Sequence, residues 1–274
     1  MEQENKTKKK YKIYWGRIIA AVAVVVVAVF LVVKLISGVA GFFSGKGDSS
    51  PESSSKNDIP EPGTSVVGNP SNIVTSKQEP KNLDLTVVVD AGHGGNDAGA
   101  MDKTATKYEK DDVLKVALLV KQYLEEQGVT VIMTRSDDSF VSLDDRCAIA
   151  NNSNADLFVS IHRNYIENVQ AQGVETWVRI SKPEADVKLG ESIMSMLAQT
   201  PISNNRGVCY GYIDNINVDY QVNRETNMPS CLIELGFMSD DEDNKLFDAH
   251  YRDYARAISD GIIQTGRELG MIKE

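Results

Sequence analysis

Two of the three histidines in the sequence follow short apolar runs that have the pattern of buried strands. His93 lies in the loop after the run at residues 85–89, Leu-Thr-Val-Val-Val, which ends at Asp90. His162 directly follows a second run, Leu-Phe-Val-Ser-Ile, at residues 157–161. Loops at the ends of central strands commonly carry the chemistry of α/β sheets. One histidine in such a loop can equally be a hydrogen-bonded structural residue, but two at equivalent positions favour a metal site.

A third apolar run ends on a carboxylate. Residues 229–235 read Pro-Ser-Cys-Leu-Ile-Glu-Leu, so Glu234 is the charged residue at the end of an apolar strand. An ionised glutamate in that setting is costly unless it is paired or lies near a metal. Alone, Glu234 could be a partly exposed acid at a strand end, which is common. Three such strand ends in one sheet favour a shared site.

The residue types at these positions fit a catalytic zinc site, which uses three protein ligands plus water. His93 and His162 supply two ligands, and the third is expected to be an acid after the first strand. Glu109 meets this requirement, because it begins a predicted helix after a loop long enough to fold back over His93. Glu234 is then the candidate general base for water and general acid for the leaving group. His250 lies among polar residues and is not expected to take part.

The elements that position these residues indicate an α/β domain. Apolar residues recur at helical spacing after residue 109, Gly128 ends that helix, and residues 129–133 form the next strand. A strand, a loop, a helix and a strand in this order form a parallel crossover unit. Further strands are predicted at residues 156–161, 174–180, 208–213 and 229–237, and further helices at residues 143–151, 182–198, 240–247 and 251–269.

The sequence before residue 84 predicts a membrane tether. Residues 1–17 form a basic cytoplasmic tail, and residues 18–43 form an apolar span long enough to cross a bilayer as a single-pass anchor. The positive-inside rule then predicts that the following chain is extracytoplasmic. The alternative is a signal peptide that is cleaved, which would give a secreted protein. Residues 44–83 have the composition of a disordered linker, and residues 84–274 form the predicted catalytic domain.

Charge and cysteine content restrict the function further. Eight of the 29 basic and two of the 39 acidic residues lie in the first 46 residues, which leaves 21 basic and 37 acidic residues, a net charge of −16. A domain this acidic is a poor partner for nucleic acid.

The sequence has three cysteines, Cys147, Cys209 and Cys231, and no two of them form a C-x-x-C pair. One disulfide with one free thiol, or three free thiols, are both compatible with the sequence. The G-x-S-x-G, P-loop, G-x-G-x-x-G and H-E-x-x-H motifs are absent from the sequence.

Several motifs occur in a fixed order between residues 85 and 270. They are Asp-Ala-Gly-His-Gly-Gly at 90–95, Glu-Lys-Asp at 109–111, Thr-Arg at 134–135, Leu-Asp-Asp-Arg at 143–146, Ser-Ile-His-Arg-Asn at 160–164, Gly-Val-Glu-Thr at 173–176, and Met-Pro-Ser-Cys-Leu-Ile-Glu-Leu-Gly-Phe-Met-Ser at 228–239. Together they resemble the zinc-dependent N-acetylmuramoyl-L-alanine amidases of the family-3 type. The resemblance implies a six-stranded mixed, mostly parallel sheet flanked by helices. It also implies the zinc ligands His93, Glu109 and His162, with Glu234 as the catalytic acid/base.

The substrate implied by this resemblance is peptidoglycan, cut at the amide between N-acetylmuramic acid and L-alanine. An activating protein partner is conceivable but is not identified by the sequence. The functional alternative is a non-catalytic peptidoglycan-binding or regulatory module that keeps the fold. The intact set of four residues argues against it, since a degenerate domain tends to lose one.

Two positions depart from the family pattern. Ala98 stands where the family usually has proline, and Arg163 stands where it usually has a small residue. A guanidinium one residue from a ligand could bind a stem-peptide or lactyl carboxylate. Arg163 and its neighbour Asn164 are therefore predicted to bind substrate, with a solvated surface arginine as the alternative.

Overall fold

The computed structural model describes residues 82–167 and 170–272, in which six strands form one mixed sheet. The strands are β1 Thr86–Ala91, β2 Thr130–Met133, β3 Leu157–Asn164, β4 Val174–Val178, β5 Asn205–Tyr210 and β6 Ser230–Phe237. Their order across the sheet is β2-β1-β3-β6-β4-β5. β4 runs antiparallel to β6, whereas all other neighbouring strands are parallel. The predicted six-stranded, mostly parallel sheet is confirmed.

Five helices flank this sheet in the described residues. They are α1 Glu109–Glu126, α2 Leu143–Asn152, α3 Glu184–Leu197, α4 Gln221–Glu225 and α5 Asp241–Glu268. Among the described residues, none of the helices has the length and apolar character needed to cross a membrane. The predicted tail, anchor and nearly all of the predicted linker precede residue 82 and lie outside the described residues.

Alternation along the strands divides the core into two parts. On β1, Val87 and Val89 face a larger core formed with α1, α3 and α5, and Val88 faces a smaller core formed with α2 and α4. Successive side chains of a strand point to opposite faces of the sheet. The same alternation therefore directs Asp90 and His162 to the face of the smaller core.

Three predicted boundaries were wrong. The last helix, α5, continues for 28 residues where a break was predicted between residues 247 and 251. No glycine or proline interrupts that stretch, and the buried residues Phe247 and Tyr254 extend one apolar face across it. β3 continues to Asn164, so His162 lies within a paired strand, and β5 covers residues 205–210 instead of 208–213. The short helix α4 was not predicted.

The three cysteines lie on α2, β5 and β6, and none of them forms a disulfide. Cys147 and Cys231 are buried, and burial raises the pKa of the Cys147 thiol to about 11. Burial raises the pKa of the Cys231 thiol as well. Both side chains therefore act as small apolar packing residues, because a thiol that stays protonated is unreactive.

An ion pair is buried beneath the end of β1. Arg146 Nη1 donates to Asp90 Oδ1 at 2.6 Å, and both residues are almost completely buried. The hydroxyl groups of Thr134 and Ser160 also donate to the Asp90 carboxylate, each at 2.6 Å. Burial opposes the charged form of Asp90, but the Arg146 charge and these two hydrogen bonds outweigh it and lower the pKa of Asp90. Asp90 is thus an ionised, fully paired carboxylate inside the domain.

Two buried arginines fix the backbone that follows β1. Arg146 Nη2 donates to the His93 carbonyl at 2.6 Å, and Arg135 Nη2 donates to the Gly92 carbonyl at 2.7 Å. Arg135 Nη2 also donates to the Lys110 carbonyl in the first turn of α1, at 2.9 Å. The guanidinium groups therefore connect the loop after β1 with the start of α1 and with α2.

Replacement of Asp90 by alanine is expected to lower the free energy of unfolding by about 3–5 kcal/mol, because it leaves Arg146 as a buried charge without its partner. The control is Glu125→Ala, which removes an exposed ion pair with Lys121 and is expected to cost less than about 1 kcal/mol. Urea unfolding followed by circular dichroism measures both values. Equal losses in the two variants would contradict a special contribution of the buried pair.

Candidate functional site

The loop after β1 presents His93 in an unusual backbone conformation. Gly92 leaves no room for a side chain, because a Cβ at this position would lie 2.3 Å from the His162 ring. His93 has a φ of 58° and Gly94 a φ of 125°. A non-glycine residue with positive φ is uncommon and is often found at functional sites. The loop brings the His93 and His162 rings together, with their centroids 4.9 Å apart.

His93, Glu109 and His162 direct their ligand atoms into one small space. Glu109 Oε1 lies 3.2 Å from His93 Nε2 and 2.9 Å from His162 Nδ1. The three ligand atoms all lie within 4.8 Å of one another. The backbone amides of Ala100 and Arg163 hold the buried Glu109 carboxylate by donating to it at 2.8 and 2.9 Å. The structure thus brings together the three residues that the sequence predicted as metal ligands.

The charges in this cluster support one another. Burial opposes the ionisation of Glu109, but hydrogen bonds and charges of the two histidines hold the pKa of Glu109 well below its usual range. Burial also disfavours the protonated form of His93, but Glu109 and Asp97 outweigh it and raise the pKa of His93. A buried carboxylate that remains ionised is available to bind a cation.

Asp97 is a site residue that the sequence reasoning missed. Its Oδ2 lies 2.9 Å from His93 Nδ1, and its Oδ1 accepts a hydrogen bond from the Gly99 amide. A carboxylate at Nδ1 favours the tautomer that carries its proton there, which leaves Nε2 free as a metal ligand. The available signal was an acid four residues after the histidine in the same loop, and only the folded loop aims it at the ring.

Glu234 lies next to His162 in the sheet. The two residues are registered partners on β6 and β3, so their side chains point to the same face. Glu234 is 6% exposed, and its Oε2 has no hydrogen-bond partner among the described residues. Burial, together with the negative charges of Glu109 and Glu175, raises the pKa of Glu234 well above its usual range. A buried carboxyl oxygen of this kind is suited to exchange a proton with a bound molecule.

A second buried carboxylate, Glu175, lies opposite Glu234 on the antiparallel strand β4. It accepts hydrogen bonds from Asn164 Nδ2 at 2.9 Å and from Trp177 Nε1 at 3.0 Å, and it forms an ion pair with Arg206. Glu175 is therefore fully paired within the protein. The sequence reasoning missed it, because a polar residue in a predicted strand is compatible with an exposed position.

The predicted substrate contact of Arg163 was wrong. Its side chain is fully buried, its Nη1 donates to Asp112 Oδ2 at 2.7 Å, and its guanidinium lies 4.2 Å from the centre of the Phe247 ring. The physical reason is the alternation of the strand, which turns Arg163 to the face opposite its neighbour His162. Arg163 stabilises the packing of α1 and α5 on the sheet.

Asn164 returns to the face of His162 but has an internal role. It is 5% exposed, its Nδ2 donates to Glu175, and its Oδ1 accepts a hydrogen bond from the Tyr165 amide. Its polar groups are used within the protein, which leaves no support for the predicted substrate contact. His250 lies on α5, where it pairs with an aspartate of the same helix.

Comparison with known proteins agrees with this arrangement. The family model Amidase_3, described as N-acetylmuramoyl-L-alanine amidase, matches residues 87–264. The chain is similar to an N-acetylmuramoyl-L-alanine amidase from Clostridium difficile 630, with 35% identity and a TM-score of 0.60, over 70% of this chain and 100% of that chain. It is also similar to the CwlD amidase from Clostridioides difficile, solved in complex with the GerS lipoprotein, with 32% identity and a TM-score of 0.62, over 67% of this chain and 99% of that chain.

A curated relative is the protein named Probable cell wall amidase LytH from Staphylococcus epidermidis. It is 36% identical over 182 residues, which is 65% of this chain. The matched part spans only 57% of the length of that relative. The family model matches the region that carries His93, Glu109, His162 and Glu234. The chain therefore belongs to the Amidase_3 family of N-acetylmuramoyl-L-alanine amidases.

Proposed function

We propose that this protein is a zinc-dependent hydrolase that cleaves the amide between N-acetylmuramic acid and L-alanine in peptidoglycan. The observation that carries the proposal is the convergence of two imidazoles and a buried carboxylate next to a second buried carboxyl group. Membership of the amidase family supports the choice of bond and substrate.

The donor set fits zinc. His93, Glu109 and His162 would hold the ion through Nε2, Oε1 and Nδ1, the atoms that face one another. Two imidazoles and one carboxylate suit zinc, whereas magnesium and calcium favour oxygen ligands. When bound, the zinc supplies a Lewis acid for the substrate carbonyl and lowers the pKa of water. Asp97 contributes by orienting the His93 ring through Nδ1.

Glu234 performs the proton transfers of the proposed reaction. A cation held by the neighbouring ligands would offset the burial and the negative charges that raise the pKa of Glu234, and would favour its ionised form. The carboxylate would then take a proton from the attacking water and deliver it to the amine nitrogen of the departing L-alanine. Its Oε2, which has no hydrogen-bond partner among the described residues, is free for both steps. Glu109 is unsuited to this role, since backbone amides already donate to both of its carboxylate oxygens.

The proposed site of action is the cell wall, outside the cytoplasm. Similarity to a protein named as a cell wall amidase supports this location. The predicted anchor at residues 18–43 would hold the domain at the membrane, and a cleaved segment would release it. The complex of the CwlD amidase with a lipoprotein supports a protein partner for this chain as well. Nucleic acid is not an expected partner, because the chain beyond residue 46 carries a net charge of −16.

Digestion of purified peptidoglycan by the full chain is expected to release stem peptides that begin with a free L-alanine amine. Mass spectrometry of the products identifies the new chain ends. A chelator should abolish the release and added zinc should restore it. Cleavage at another bond, or release that a chelator leaves unchanged, would contradict the proposed reaction.

His93→Ala and His162→Ala are each expected to lose bound zinc, because two remaining ligands hold the ion weakly. His250→Ala is the matched control and should keep wild-type zinc content, since His250 forms its ion pair with a residue of its own helix. Metal analysis of the three purified variants measures the stoichiometry. Full zinc occupancy in either of the first two would mean that the ligands are assigned wrongly.

Glu234→Gln keeps the shape of the side chain and removes its acid–base chemistry. Zinc should remain bound at wild-type stoichiometry, while turnover should fall by about 10²–10⁴-fold, the usual contribution of general acid–base catalysis. Glu191→Gln, on the exposed surface of α3, serves as the control and should leave turnover unchanged. Loss of zinc in Glu234→Gln would make this residue a ligand, and normal turnover would remove it from the mechanism.

A further inference from the structure

A cavity of about 330 Å³ opens beside the proposed zinc ligands. Its lining contains the apolar side chains of Phe140, Val141 and Leu143 together with the polar side chains of His93, Asp97, Arg146 and His162. The three apolar residues belong to the segment between β2 and α2 and to the first residue of α2. Phe140, Val141 and Leu143, called the apolar wall below, therefore line the same cavity as two of the proposed zinc ligands.

This wall is exposed although it is apolar. Phe140 is 53% exposed and Leu143 is 51% exposed, which makes them the two most exposed large apolar residues that line the site. Large apolar side chains that remain exposed to water beside a candidate active site indicate a surface that binds a ligand or a substrate. Val141 between them is partly buried.

The wall is held rigidly against the loop of His93. The Gly95 amide donates to Asp138 Oδ1 at 2.8 Å, and a Cβ on Gly95 would lie 2.8 Å from the Phe140 backbone nitrogen. Arg146 Nε donates to the Val141 carbonyl at 2.9 Å. The position of the wall relative to His93 is therefore set by these hydrogen bonds and by the close approach of Gly95 to Phe140 before any substrate binds, which reduces the entropic cost of binding.

The polar residues of the cavity are already engaged. Asp97 is bound to His93 Nδ1, and Arg146 donates to Asp90 and to the carbonyls of His93 and Val141. Apart from the proposed ligands, the lining that remains free to contact a substrate is apolar. It suits an uncharged alkyl group close to the bond that is cleaved.

We propose that Phe140, Val141 and Leu143 form a contact surface for the methyl groups that flank the cleaved amide. The inference rests on the proposed function. On the acyl side of that amide, the lactyl carbon of N-acetylmuramic acid carries a methyl group, and on the amine side the Cα of L-alanine carries another. Each methyl group is separated from the amide bond by one carbon, so a wall that shares a cavity with two proposed ligands can reach either one. The wall thereby contributes to recognition of the muramoyl-alanine linkage.

Four soluble substrates distinguish the contributions of the two methyl groups to kcat/KM. They are N-acetylmuramyl-L-alanyl-D-isoglutamine, its analogue with glycine in place of L-alanine, its analogue with a glycolyl ether in place of the lactyl ether, and the analogue with both changes. The kcat/KM of the full chain is measured on each. One methyl group in an apolar pocket is worth about 10-fold or more in kcat/KM, so the wild-type protein should prefer a methyl-bearing substrate by about that factor.

Phe140→Ala and Leu143→Ala should each reduce this preference severalfold and leave the zinc content unchanged, because neither residue is a ligand. Leu118→Ala, which removes a 39% exposed leucine from α1, is the matched control and should retain the full preference. If the wall variants lose preference only between the L-alanine and glycine substrates, the wall contacts the L-alanine methyl group. If they lose preference only between the lactyl and glycolyl ethers, the wall contacts the lactyl methyl group.

An unchanged preference in both wall variants, or an equal loss of kcat/KM on all four substrates, would overturn the proposed contact while leaving the amidase reaction intact. The wild-type protein with bound zinc could also cleave none of the four substrates and still release L-alanine termini from peptidoglycan. That result would overturn the proposed contact but not the proposed function. Failure to cleave peptidoglycan as well would overturn the proposed function itself.

Discussion

The ion pair between Asp90 and Arg146 is the interaction on which the geometry of the site depends. Burial of two charges is costly, and an attractive pair repays this cost only when the remaining donors and acceptors are satisfied. Here the hydroxyl groups of Thr134 and Ser160 donate to the Asp90 carboxylate. The other N–H groups of Arg146 donate to backbone carbonyls, including that of His93. The same hydrogen bonds that satisfy the buried guanidinium therefore hold the loop that presents His93, a proposed metal ligand.

Three buried glutamates around the site differ in chemical state because their surroundings differ. Glu109 faces two imidazoles and two backbone amides, so it stays ionised. Glu175 accepts hydrogen bonds from neutral and charged donors and is fully paired. Burial and the negative charges of Glu109 and Glu175 raise the pKa of Glu234, whose Oε2 has no hydrogen-bond partner among the described residues. One residue type thus provides a proposed metal ligand, a carboxylate that is paired within the protein, and a proposed proton-transfer group.

The sheet topology determines which of these groups meet. β1, β3 and β6 are adjacent and parallel, so the residues at their carboxyl ends gather at one edge of the sheet. β4 runs in the opposite direction, so its amino end brings Glu175 to the same edge. The wall formed by Phe140, Val141 and Leu143 reaches this edge because the segment after β2 packs on the loop of His93.

The sequence by itself determined the reactive residues and the strands that carry them, because apolar runs lead to His162, Glu234 and the loop of His93, and the resemblance of its motifs to a known family implied the six-stranded sheet. Glu109 could be predicted because it begins the first helix after a loop long enough to fold back over His93. Only the tertiary structure decided the roles of Asp97, Glu175 and Arg163. Asp97 is aimed by a loop with positive φ values, Glu175 is brought in by an antiparallel strand, and Arg163 is turned into the core by the alternation of β3. Each of these outcomes depends on backbone direction or on contacts between distant elements, which residue types and local spacing do not encode.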